Sequence, residues 1–159
     1  MGQEERIQKA YRGLGGKRTF YDGMITCSTL SGRAVCRLVG DMGRAETQYY
    51  LCAALSGIPE GFSGRLLEVP VGTGILTMPL YREMPEAEIT CLDYSPEMLE
   101  RAKSRGEGLA HVRFQQGDVG ALPFGNSSFD IVLSLNGFHA FPDKEAAWRE
   151  IFRVLRPGG

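Results

Sequence analysis

A chain of 159 residues is long enough for one domain with a real core, and 43% apolar against 23% charged residues is the balance of an ordinary soluble protein. A formal charge of −1 argues against a surface built to grip nucleic acid. Cys27, Cys36, Cys52 and Cys91 carry neither metal-ligand nor redox spacing, and no apolar run suits a bilayer span or a secretory leader, so the expectation is reduced thiols, no bound metal and a cytoplasmic protein.

Residues 1–62 show helical patterning broken by glycines. Gly13 to Gly16 interrupt the first piece, Phe20-Tyr21-Asp22-Gly23 suits a turn or short helix, and 31–39 and 44–55 read as amphipathic helices. Arg6, Lys9, Arg12, Lys17 and Arg18 suit a solvated face better than a phosphate clamp. Gly57-Ile58-Pro59-Glu60-Gly61 signals a loop. The organisation expected is a helical extension or lid over 1–62 and a core domain over 63–159.

From Arg65 the pattern changes. Apolar runs at 66–69, 88–92, 111–115 and 129–133 read as buried strands, with helix-like segments at 76–84, 96–103 and about 144–155. This alternation predicts an α/β fold, a doubly wound and largely parallel sheet built by right-handed crossovers. Ligands on such sheets sit at the carboxyl ends of the strands.

Those ends carry suitable chemistry. After the first strand, Gly72 and Gly74 allow a tight turn and leave no Cβ between main chain and ligand. The second strand closes on Asp93, about twenty residues past the turn, where a carboxylate either accepts both hydroxyls of a ribose or simply ends a strand. Ser95-Pro96-Glu97 is a helix start: N-cap, proline in the first turn, and an acid there. Asp118 closes the third strand, as a turn residue or as the acceptor of an exocyclic amine, a neighbouring backbone N–H then serving a ring nitrogen of adenine. The fourth strand runs into Ser134-Leu135-Asn136-Gly137-Phe138-His139-Ala140-Phe141, an aromatic loop of the kind that lines pockets. In the last helix Trp148 and Phe152 share a stripe expected in the core, with Arg149, Arg153 and Arg156 on the solvated side.

Together these segments resemble the class I S-adenosylmethionine-dependent methyltransferases, especially the branch of the ubiquinone/menaquinone-biosynthesis C-methyltransferases. Leu67-Glu68-Val69-Pro70-Val71-Gly72-Thr73-Gly74 resembles the family's first motif and Leu92-Asp93-Tyr94-Ser95-Pro96-Glu97-Met98-Leu99 its second. Gly117-Asp118-Val119, Leu122-Pro123-Phe124 and Ser128-Phe129-Asp130 resemble the third and fourth, and Arg153-Val154-Leu155-Arg156-Pro157-Gly158-Gly159 is similar to the turn before the fifth strand. The resemblance covers about residues 64–159. It implies a Rossmann-like sheet of strand order 3-2-1-4 and S-adenosylmethionine as cofactor, leaving S-adenosylhomocysteine. By the same resemblance Glu68 helps hold the methionyl amino group, Gly72 and Gly74 admit the cofactor, Asp93 takes the ribose hydroxyls, and Asp118 with the Val119 amide takes the adenine. Asn136 lies where the methionyl end meets the acceptor, and Pro70, Tyr94 and Met98 complete the cofactor set.

Two residues depart from the pattern. Pro70 stands where the family's E-x-G-x-G-x-G has its first glycine, fixing φ and removing one N–H. Pro79 falls early in the following helix, which must start late, near Thr77, or kink. The resemblance also implies strands five to seven beyond Gly159, so a truncated core is expected.

The reaction implied is in-line methyl transfer to a small molecule, quinone-like, phenolic or lipid. It requires a base only where the acceptor loses a proton. His139 is one candidate, with a structural hydrogen bond as its alternative; Tyr21 with Asp22 is another, reaching over from the extension. A nicotinamide-dependent oxidoreductase shares the glycine turn and the acid, but Thr77 occupies its third glycine position and no Tyr-x-x-x-Lys pair occurs. A non-catalytic S-adenosylmethionine-binding module is the other alternative.

Overall fold

The structure, a computed structural model, describes residues 55–159. Tyr21, Asp22, Cys27, Cys36, Cys52 and the helical pieces expected before residue 55 lie outside the described residues. Each strand is a short apolar run: β1 is Arg65–Glu68, β2 Glu88–Asp93, β3 Val112–Gln116 and β4 Ile131–Leu133. Between and after them come α1 (Met78–Arg82), α2 (Pro96–Arg105) and α3 (Lys144–Val154), with 3₁₀ turns at Val119–Ala121 and Phe138–Ala140. The strands pair in parallel in the order β3-β2-β1-β4, as the resemblance implies. Glu68 lies beside Cys91 on one side and Leu133 on the other, so β1 and β4 end level while β2 runs on to Asp93.

Alternation along β1 sends Leu66 and Leu67 to opposite faces, and each face has its own core. On one, Leu66, Ile89 and Cys91 pack with Met78 and Tyr81 of α1 and Leu99 and Ala102 of α2. On the other, Leu67, Val69 and Leu92 pack with Phe129 and with Ala147, Ile151 and Val154 of α3. Each large apolar side chain removed from water in this way contributes about 1.5–3 kcal/mol.

Local chemistry sets the helix ends. Ser95 Oγ accepts from the Met98 N–H at 3.3 Å, Pro96 opens α2, and Lys103 and Arg105 sit in its last turn. Asp143 caps α3 by accepting from the Ala146 N–H at 2.9 Å. Thr77 is the N-cap of α1, so Pro79 falls within the first turn, where its missing N–H would have had no helical partner anyway. The late start expected from Pro79 is what the chain adopts.

The last helix differs from the sequence reading. Trp148 is 56% exposed and Phe152 78% exposed, and the buried stripe is Ala147, Ile151 and Val154. Successive helical residues are turned by about 100°, so the two stripes run side by side and the smaller side chains face the sheet. Nor is Arg153 merely solvated: it donates to the Leu122 and Phe124 carbonyls at 3.0 and 2.8 Å and pairs with Glu150 at 2.7 Å, tying the loop before β4 to α3. Arg156 pairs with Asp130 beside β1. Among the described residues no helix is long and apolar enough to cross a membrane.

Candidate functional site

Beyond Glu68 the chain turns sharply, and backbone bonds from both neighbouring strands hold the turn. The Val69 N–H reaches the Leu133 carbonyl at 2.9 Å and the Val71 N–H the Leu92 carbonyl at 3.0 Å. Gly72 (φ 57°) and Gly74 (φ 68°) both adopt the left-handed conformation. Their surroundings differ. A Cβ on Gly72 would meet nothing within 4 Å, whereas one on Gly74 would stand 2.9 Å from Met78 Cγ and 3.3 Å from Ala102 Cα. Gly72 thus bares main chain to open space, while Gly74 lets the turn pack on α1 and α2. From the end of α2, Arg105 donates to the Thr73 carbonyl at 2.7 Å and anchors the turn from below.

Asp93 joins the turn to β2. Its Oδ2 accepts from the Gly72 N–H at 2.8 Å and its Oδ1 from the Ser95 N–H at 2.9 Å. Burial pushes its acid up to about 6, against the pull of those N–H groups and that of Tyr94. A carboxylate has about four lone-pair directions, so these backbone bonds still leave capacity for a ligand hydroxyl.

A groove runs across the carboxyl ends of the strands in two lobes, with about 580 and 540 Å³ of open space. The first is walled by Leu92, Tyr94, Val119 and Phe141 and includes Asp118; the second by the Val71–Thr77 turn with Glu68, Met98 and Asn136. Pro70, Asp93 and Gly137 border both, so the lobes meet at a waist. Asp118 caps the 3₁₀ turn at Val119, its Oδ1 accepting from the Gly120 N–H at 2.8 Å. Asn136 has a positive φ of 53°, which turns the chain after β4 back toward the waist. The flat apolar walls of one lobe suit a planar ring, Asp93 at the waist suits hydroxyls, and the polar main chain with Glu68 in the other suits a charged, flexible end.

The structure therefore brings Glu68, Pro70, Gly72, Gly74, Asp93, Tyr94, Met98, Asp118, Val119 and Asn136 to one groove. His139 is exposed on the turn at Phe138–Ala140, and the groove is lined by its neighbours Ala140 and Phe141 instead. Tyr21 lies outside the described residues. Sequence reasoning passed over Gly137, Thr77 and Tyr81. Thr77 and Tyr81 are four apart and so share a helix face, and both hydroxyls reach Glu68 Oε2 at 2.9 Å.

The family described as "Methyltransferase domain" matches residues 66–159. The chain is 43% identical over 97 residues to demethylmenaquinone methyltransferase of Thermus thermophilus, covering 60% of this chain and 44% of that protein. It is 33% identical over 159 residues to demethylmenaquinone methyltransferase of Lactococcus lactis, covering 98% of this chain and 56% of that protein. Among solved structures it superimposes on the YcgJ protein of Bacillus subtilis with a TM-score of 0.63 and 32% identity, covering 70% of this chain and 48% of that one. The chain spans about half the length of these relatives.

Proposed function

The chain belongs to the methyltransferase-domain family over residues 66–159, and on that premise we propose that its groove binds S-adenosylmethionine and transfers the methyl group to a small molecule, quinone-like, phenolic or lipid. One observation carries the reading: a single continuous groove has an apolar, base-sized lobe at one end, a charged and backbone-rich lobe at the other, and Asp93 between them. The open space beside Gly72, which a side chain there would fill, fits a ligand lying on bare peptide.

In this reading Asp118 and the Val119 main chain hold the adenine, Asp93 the ribose hydroxyls, and Glu68 with the turn amides the amino-acid end. When bound, S-adenosylmethionine supplies a methyl carbon already activated for displacement by its sulfonium. The residues around it align the acceptor and exclude water, effects that supply up to about 7–11 kcal/mol of a barrier in favourable cases. The exposed His139 is proposed as base only for acceptors that lose a proton, with Tyr21 of the extension as the other candidate. The division into an extension over 1–62 and a core over 63–159, and a cytoplasmic setting, belong to the same proposal.

The quinone-like acceptor is favoured by the demethylmenaquinone methyltransferases among the relatives. The test is to incubate the chain and its Asp93→Ala variant with methyl-labelled S-adenosylmethionine and separate panels of quinols, phenols and lipids. Label should enter the quinol panel with the native chain and not with the variant. Label entering no panel, or entering equally with the variant, contradicts the proposal.

A further inference from the structure

Glu68 is 2% exposed yet borders the groove. Its Oε2 accepts hydrogen bonds from Thr77 Oγ1 and Tyr81 Oη, both at 2.9 Å, with Cys91 Sγ at 3.8 Å. All three donors are neutral groups. A buried carboxylate with only neutral donors around it is costly to ionise, and two hydroxyls on one oxygen recover part of that cost.

We propose that burial keeps Glu68 a neutral carboxylic acid in the free protein, and that Tyr81 and Thr77 are positioning residues whose hydroxyls ease its ionisation, so that a cationic ligand group beside it is taken up with release of the Glu68 proton to solvent. The inference rests on the reading above, in which an ammonium-bearing amino-acid end occupies this lobe. Tyr81 faces Glu68 from α1, Cys91 and Asp93 from β2, and apolar Leu133 lies beside it on β4. Burial pushes the Glu68 acid up to about 8; the hydrogen bonds of Tyr81, Thr77 and Cys91 pull it back, and the charge of Asp93 adds to the rise. Tyr81 and Cys91 are themselves pushed up, mainly by burial, and Asp93 is raised only to about 6, so Glu68 is the group of the cluster that still holds a proton to yield at pH 7. Without the hydroxyls the acid would hold its proton too tightly for a ligand to displace it.

The test is calorimetric titration of the full chain with S-adenosylhomocysteine from pH 6.5 to 8.5, in two buffers of different ionisation heat. Close to one proton should be released per ligand at pH 7, and Kd should fall nearly tenfold per pH unit before levelling near 8. Tyr81→Phe should move the levelling to higher pH, so that its several-fold loss at pH 7 exceeds its loss at pH 8.5, and Thr77→Val should do the same. A uniform loss across the range would mean a merely structural role and would overturn the proposal. So would native binding with a flat profile and no proton release, a result that needs no variant and leaves the cofactor reading standing. Failure of the native chain to bind at any pH overturns both.

Discussion

The ring of Pro70 occupies the space that a side chain at position 137 would need: a Cβ on Gly137 would stand 2.1 Å from Pro70 Cδ and 2.2 Å from its Cγ. The two residues come from the ends of adjacent strands, β1 and β4, and together border both lobes of the groove. The proline that departs from the family's glycine pattern is thus accommodated by a glycine opposite. Gly137→Ala should destabilise the chain by about 1–3 kcal/mol, as overpacking does, and Pro70→Gly in the same chain should restore most of the loss. Urea denaturation of the two single variants and the double variant measures this; strictly additive effects would mean that the pair is not coupled.

Gly72 and Gly74 should separate binding from packing. Gly74→Ala meets Met78 and Ala102 in addition to an unfavourable φ, so its main effect should be on stability, about 1–3 kcal/mol. Gly72→Val has open space around its Cβ and should lose affinity for S-adenosylhomocysteine at least tenfold, with a smaller stability loss of about 1–2 kcal/mol from its φ alone. Thermal melts with and without ligand distinguish the two.

Glu68 makes stability depend on pH. Its acid sits at about 8 in the folded chain against an ordinary 4.5, so the folded state favours the proton. That contribution is complete below about 4.5 and disappears as the pH climbs through about 8, at no more than about 1.4 kcal/mol for each pH unit between those two values. Asp93 acts in the same direction over a lower window, from 3.8 to about 6. The unliganded chain should melt at lower temperature at pH 8.5 than at pH 6, and Glu68→Gln, whose amide stays neutral, should flatten that slope. Parallel slopes for the two proteins would contradict the assignment.

The exposed stripe on α3 gives a contrast within one helix. Phe152→Ser should change stability by no more than about 0.5 kcal/mol, whereas Ile151→Ala, one residue away and facing the sheet, should lose about 2–4 kcal/mol. Equal losses would mean that Phe152 is buried after all.

Much of this was legible in the residues. Strands read from apolar runs match β1 to β4 to within one or two positions, and Ser95-Pro96 marked the start of α2, because strand patterning and capping act over a few neighbouring positions. The strand-end residues Asp93 and Asp118 also reach the groove. What was hidden depends on contacts across the fold. That Asp93 braces Gly72 and that Gly137 makes room for Pro70 require knowing which strands are neighbours, and that Thr77 and Tyr81 converge on Glu68 requires knowing how α1 packs on β1. In α3 two apolar stripes lie side by side, and the large aromatics drew the reading away from Ala147, Ile151 and Val154, which face the sheet. His139 looked suited to catalysis by type and position, yet the 3₁₀ turn carries it to the surface.

The central claim, that the groove across β1, β2 and β4 is a cofactor site for S-adenosylmethionine, is tested most directly by titrating the chain with S-adenosylhomocysteine and, in parallel, with NADH. Binding is followed by calorimetry in the native chain and in Asp93→Ala. Saturable binding of S-adenosylhomocysteine to the native chain, lost in the variant and not matched by NADH, is the result predicted. Saturable NADH binding with no response to S-adenosylhomocysteine would contradict it.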